Sequence, residues 1–243
     1  MPASISASKR PKGVCLLSIR LTRRRFLPLL ATPMLAAMSA VIRPSSVAAT
    51  GRKYSITDLG ALQGGDYSIG YGINPDAAVA GMSSVPGGAT RAVILRGKKL
   101  TDLGQDGDTS TALGINEAGW VVGGATTAPG FEYGGAGTHA FLWKDEILFD
   151  LGAPEGADVS VANDVNTKGE VVGFGGDPKP KNPNNAQQAL FWDEKGKMFY
   201  LNDTIDDDNG WTLLTALAIN DDDRIAGLGM KDGQYRGYLL KKK

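Results

Sequence analysis

Three observations predict an all-β fold, a four-bladed β-propeller with four-stranded blades. One short motif recurs four times at matching offsets. Helical periodicity is missing, and the apolar runs are short and rich in β-branched and aromatic residues. A strand that the last unit lacks stands at the start of the repeat region. The motif is clearest over residues 114–123, Gly-Ile-Asn-Glu-Ala-Gly-Trp-Val-Val-Gly. It reads as a β-hairpin tip, and its Asn116-to-Gly123 spacing of seven recurs in Asn74/Gly81, Asn166/Gly173 and Asn220/Gly227.

The repeat region begins with residues 53–60, Lys-Tyr-Ser-Ile-Thr-Asp-Leu-Gly, which match the fourth strand of a unit. Units follow over about 61–104, 105–152, 153–202 and 203–243. In each unit a first strand ends in Ile-Asn or Val-Asn and a second runs up to the Gly. A third strand is 91–95, 139–143, 188–192 or 236–240. A fourth occurs at 100–104, 148–152 and 198–202, with its leucines 48 and 50 residues apart. The last unit stops at its third strand, so residues 53–60 are expected to complete it and close the ring. An open solenoid or a sandwich is the competing reading.

Turn chemistry accounts for the hairpins. Asn opens a type I turn by bonding its own downstream backbone, and Pro75 suits the second position. The fourth position calls for a left-handed backbone, which Gly119 and Gly169 supply and Asp223 tolerates. Ala77 fits it poorly. Small residues four before the Asn (Gly70, Ala112, Ala162, Ala216) suit an innermost strand crowded at the axis. Ile73, Leu113, Val165 and Leu217 are expected to pack between blades.

Residues 1–49 read as an export signal. Eight Lys and Arg residues and no acid precede Thr50, and an apolar run spans 26–42. The run is short and broken by proline, which argues against a stable membrane span. Arg23, Arg24, Phe26 and Leu27 match the twin-arginine pattern, and Ala48 and Ala49 offer a cleavage site. An uncleaved anchor is the alternative. The whole chain balances 26 basic against 26 acidic residues, so removing the leader leaves residues 50–243 with eight acids in excess. That excess disfavours nucleic acid and anionic membranes as partners. The lone Cys15 also lies in the leader, so the rest of the chain has no disulfide, no thiolate metal site and no Cys nucleophile.

Catalytic sets are sparse. His139, the single histidine, starts a third strand where the other units place Arg91, Gln188 and Arg236, which marks it as a structural polar residue. A His zinc cluster and a Cys–His pair are excluded, and no nucleophile elbow accompanies His139. Eight residues before the motif Asn lie Asp66, Asp108 and Asp158, with Thr212 in the last unit. In a closed ring these aspartates would gather at one mouth of the channel and could hold a cation such as calcium. The competing reading is that each caps the turn entering its strand. The run Asp206-Asp207-Asp208-Asn209-Gly210 lacks the further ligands of a calcium loop and reads as a solvated turn. Trp211 reads as core. The long loops 125–138 and 175–187 join the aspartate face, where function is usually placed. No cofactor is called for.

The phrases Thr-Asp-Leu-Gly, Gly-Ile-Asn-x-x-Gly-x-Val-Val-Gly and His139-Ala140-Phe141-Leu142-Trp143 resemble the HAF extracellular-repeat family of exported bacterial proteins, over residues 54–243. Only the second unit has the full His-Ala-Phe triplet. The resemblance implies an exported, repeat-built β-protein in the periplasm or outside the cell, and it implies no activity. The expected function is therefore a non-enzymatic binding or scaffold module for a protein or glycan. A carbohydrate-active enzyme and a cell-envelope adhesion protein are the alternatives.

Overall fold

The repeats fold into four antiparallel sheets. In the computed structural model, residues 53–104, 109–126, 137–157, 159–176 and 186–243 are described, within a unit that spans Ala49–Lys243. The export-signal residues Arg23, Arg24, Phe26, Leu27, Ala48 and Ala49 lie outside them, as do Asp108, Asp158 and most of the two long loops.

Sheet 1 comprises β1 (Ser68–Ile73), β2 (Val79–Ser84), β3 (Thr90–Arg96) and β4 (Lys99–Asp102). Sheet 2 comprises β5 (Ser110–Ile115), β6 (Val121–Thr126), β7 (Thr138–Lys144) and β8 (Ile147–Asp150). Sheet 3 comprises β9 (Ser160–Val165), β10 (Val171–Gly175), β11 (Gln188–Trp192) and β12 (Met198–Tyr200). Sheet 4 has β13 (Trp211–Ile219), β14 (Arg224–Lys231) and β15 (Gln234–Lys241). In every sheet neighbours in sequence are neighbours in space.

The motif is explained residue by residue. Each Asn carbonyl accepts the amide three residues on, at 2.9–3.3 Å. Each Asn Oδ1 accepts the amide four residues on, from Ala78, Trp120, Glu170 or Arg224, at 2.9–3.0 Å. The fourth turn position is left-handed in all four copies, with φ of 59° at Ala77, 79° at Gly119, 85° at Gly169 and 56° at Asp223. Ala77 thus adopts the conformation for which its side chain is poorly suited. The cost of a left-handed alanine is about 1–2 kcal/mol, and the two Asn74 bonds offset it.

The glycine seven residues after each Asn answers to a β-bulge. The first strand slips register at Gly70/Gly72, Ala112/Gly114, Ala162/Asp164 and Ala216/Ala218. The bulge pushes a first-strand carbonyl across the partner strand. A Cβ at Gly81, Gly123, Gly173 or Gly227 would lie 1.9–2.1 Å from the carbonyl oxygen of Ile69, Thr111, Val161 or Thr215. Only glycine leaves room there.

Three junctions join the four sheets, each with its own core. Ala80, Ala92, Ile94 and Leu103 of unit 1 pack on Ala112, Val121, Phe141 and Trp143 of unit 2. Val122 and Ala140 pack on Val165, Val171, Leu190 and Trp192. Val172, Ala189 and Leu201 pack on Leu213, Ile219, Ile225 and Tyr238. Adjacent residues therefore serve opposite junctions: Val121 faces back and Val122 faces forward, as the period of two in a strand dictates.

The fourth junction, which would close a ring, is not formed among the described residues. Sheets 1 and 4 do not pack on each other, and sheet 4 has only three strands. Residues 53–60, expected as its fourth strand, belong to no sheet, and Ile56 is 98% exposed. Val165 packs between sheets as expected and Leu113 is half-buried, whereas Ile73 is 69% exposed and Leu217 is also exposed. Both exposed residues belong to the end units, each of which lacks one neighbour.

Candidate functional site

The candidate site lies along the free edge of sheet 4, where a fourth strand is missing. An open cavity of about 850 Å³ runs beside it. Its apolar wall is Phe191, Leu201, Ile205, Ile225 and Leu240, and its rim carries Asp206, Asp207 and Asp223 with Lys241, Lys242 and Lys243. The apolar wall continues the core of the third junction. In sheets 2 and 3, Leu148 and Met198 of the fourth strand pack on the corresponding core and pair with Trp143 and Trp192. The corresponding partner position in sheet 4 is Leu240, on the wall of the cavity.

Rim charges are neutralised locally. Asp223 bonds Lys168 of the neighbouring unit and Lys242, at 3.0 Å for the latter. Its carboxyl is held down at about 2, chiefly by the Lys168 bond and then by Lys242. Asp206 is bonded by Lys243 at 2.5 Å, and that ammonium lowers its pKa. Asp207 and Asp208 accept the amides of Asn209 and Gly210, so this acidic run is a solvated turn closed by its own backbone. Trp211 is half-buried against Tyr238, edge to face at 6.5 Å, with Lys231 over its ring. Burial pushes the Tyr238 hydroxyl well above its ordinary range, and it donates to the Thr215 carbonyl at 3.0 Å.

His139 sits at the start of β7, half-buried, with Nδ1 3.0 Å from Asp150 on β8. In sheet 1 the equivalent pair is Arg91–Asp102 at 3.3 Å. The residue at this place of the third strand thus bonds the Asp of Thr-Asp-Leu-Gly or its counterpart Phe149-Asp150-Leu151-Gly152. Sheet 3 substitutes amides, Gln188 with Asn202 at 3.0 Å.

Of the proposed aspartate ring only Asp66 is described. It is exposed ahead of β1, and its amide donates to Ser84 Oγ at 2.8 Å. Among the described residues no group of three His, Cys, Asp or Glu side chains is placed to hold a metal ion. One half-buried carboxylate, Asp164, accepts the amides of Val165 and Ile219 at 2.9 Å and ties sheet 3 to sheet 4. Burial raises its pKa, and the two backbone bonds oppose the rise.

A ladder of asparagines links the units on the hairpin face. Asn74 Nδ2 donates to the Asn116 carbonyl at 3.2 Å, Asn116 to Asn166 at 2.9 Å, and Asn166 to Asn220 at 3.4 Å. The first three asparagines are buried, while Asn220, the last rung, is exposed. This second role of the motif Asn was not visible in the sequence, because hairpin turns alone account for an Asn at that place.

Comparison with protein-family models gives no match, and comparison with curated proteins gives none. Among the described residues no helix is long and apolar enough to cross a membrane.

Proposed function

We propose that the chain is an exported, non-enzymatic binding or scaffold module of the HAF extracellular-repeat type, acting on a protein or glycan in the periplasm or outside the cell. The observation that carries this reading is the unfilled strand place beside β15, with an apolar cavity next to it. Exposed sheet edges of this kind recognise extended segments through main-chain bonds and side-chain pockets. The twin-arginine-like leader, with Arg23, Arg24, Phe26 and Leu27, and the Ala48–Ala49 cleavage site support export.

Glycoside hydrolysis needs a general acid whose pKa is raised. Two rim carboxylates of the cavity, Asp206 and Asp223, are instead held down by lysines. The reading of a carbohydrate-active enzyme therefore gains nothing at this site. Residues 53–60 are the extended segment this place takes in the same proposal, and their pairing with β15 would turn the row of sheets into a propeller whose blades keep only short outer edges.

A thermal-shift screen of the full chain against divalent cations and glycans tests the binding role. A glycan that raises the melting temperature and is recovered intact supports it, and hydrolysis of that glycan overturns it. A rise with calcium that Asp108→Ala removes assigns Asp66, Asp108 and Asp158 as a cation ring. An unchanged melting temperature with calcium removes that assignment.

A further inference from the structure

Sheet 4 and the segment ahead of sheet 1 carry the two halves of an unmade junction. The forward face of sheet 4 is bare where the others are covered. Ala92, Ala140 and Ala189 of the third strands are fully buried, as are Ala80, Val122 and Val172 of the second. Their counterparts Gly237 and Ala226 are exposed, and Leu239, the counterpart of fully buried Ile94, is 56% exposed. On the other side Ile73 is exposed, whereas its counterparts Val165 and Ile219 are buried.

The donor segment is already shaped for the role. Asp58 Oδ1 accepts the Gly60 amide at 2.9 Å, as Asp102 and Asp150 do for Gly104 and Gly152. Gly60 and Gly152 share a φ of 70°. Ser68 Oγ donates to the Gly60 carbonyl at 2.5 Å, as Ser160 does to Gly152. Ser160 Oγ also accepts the Ala140 amide, and Ser110 accepts that of Ala92. By correspondence Ser68 is placed to accept the amide of Gly237.

Three further groups match across the same junction. Arg236 occupies the place of Arg91 and His139, and Asp58 that of Asp102 and Asp150, so the two are matched for an ion pair across this junction. Ile56 corresponds to Leu148 and Met198, opposite Leu240 on the cavity wall. Among the described residues the ladder begins with the Asn74 side chain and ends at the Asn220 carbonyl, so Asn220 Nδ2 and the Asn74 carbonyl are left without their counterparts in it.

These groups sit at opposite ends of one chain. In a four-sheet ring each junction turns a quarter circle, and three such junctions bring the ends together without further change. Here three junctions of the same design are made, and among the described residues no core joins sheet 4 to sheet 1. We propose that the free edge of sheet 4 binds a second copy of this chain. Residues 53–60 of one copy pair antiparallel with β15 of the other, with Ile56 opposite Leu240, Thr57 opposite Leu239 and Asp58 opposite Tyr238. Two copies joined at both ends close a ring of eight sheets. The proposal rests on the ring reading above and replaces closure within one chain by closure between two.

Cysteine cross-linking of the full chain, with Cys15→Ser as background, tests it. Ile56 and Leu240 would be a pair without mutual backbone bonds, where Cβ atoms approach closely enough for a disulfide. Mixed Ile56→Cys and Leu240→Cys single variants should oxidise to a covalent dimer. The double variant should give the same dimer, and light scattering of the unaltered chain should give twice the 25.5 kDa chain mass. A second set of variants covers loss of folding at these sites. Arg236→Asp should return the mass to one chain, and Asp58→Arg added to it should restore the dimer. A double variant that cross-links only within a single chain overturns the second copy and leaves the ring standing. A monomer that never cross-links overturns both, and a polydisperse polymer overturns the closed pair.

Discussion

Replacing Asn116 by alanine is the sharpest test of the asparagine ladder. The side chain is buried and makes two bonds, accepting the Trp120 amide at 2.9 Å and donating to the Asn166 carbonyl at 2.9 Å. Alanine removes both and leaves an amide and a carbonyl without those partners. A hydrogen bond is worth about 1 kcal/mol net, and a buried group left unsatisfied costs about 1–3 kcal/mol. The Asn166 carbonyl keeps the Gly169 amide at 3.1 Å, so only the Trp120 amide loses its partner, which places the loss at about 3 kcal/mol. In a domain of this size each kcal/mol moves the melting temperature by about 2–4 °C, so a fall of about 6–12 °C is expected by calorimetry. Glu117→Ala, one residue along and exposed, should stay within about 0.5 kcal/mol. A loss for Asn116→Ala below about 1 kcal/mol, or equal to that of Glu117→Ala, refutes the ladder as a structural element.

Further expectations follow from the same geometry. Gly123→Ala sets a methyl 1.9 Å from the Thr111 carbonyl oxygen. It should cost at least about 3 kcal/mol, read as loss of soluble folded protein or a collapsed melting temperature. Ala77→Gly relieves a left-handed alanine and should stabilise by about 0.5–1 kcal/mol, seen as a higher denaturation midpoint. Asp223 is depressed to about 2 by Lys168 and then Lys242. Its contribution to stability is full above the ordinary carboxylate value of about 3.9 and is lost as the pH falls through the folded value. Asp223→Asn should flatten the melting temperature between about pH 4 and pH 2, and an unaltered profile would count against the lysine bonds.

Local features of the fold were legible because they obey local rules. The Ile-Asn turn, the left-handed fourth position at Gly119 and Gly169, and the alternating strands follow from turn chemistry and a period of two, whatever lies around them. His139 was legible as a structural residue because Arg91 and Arg236 stand in its place. What the sequence could not supply is the reason for Gly123. It stands at the end of the run read as the second strand, and it answers a bulge on the neighbouring strand. It also could not supply the second bond of Asn116, which reaches fifty residues away. Leu239 and Ile94 read alike in sequence, one exposed and the other buried, because burial depends on whether a neighbouring sheet is present.

The sequence by itself determined the repeat, the strand order and the turn geometry. Each depends on residues a few positions apart or on counting strands. Tertiary structure alone decided which sheet faces are covered, since that depends on packing among side chains from two sheets, such as Val122 against Val165 and Trp192. Among the described residues that packing joins sheets 1 to 2, 2 to 3 and 3 to 4, and it leaves the cavity beside β15 open.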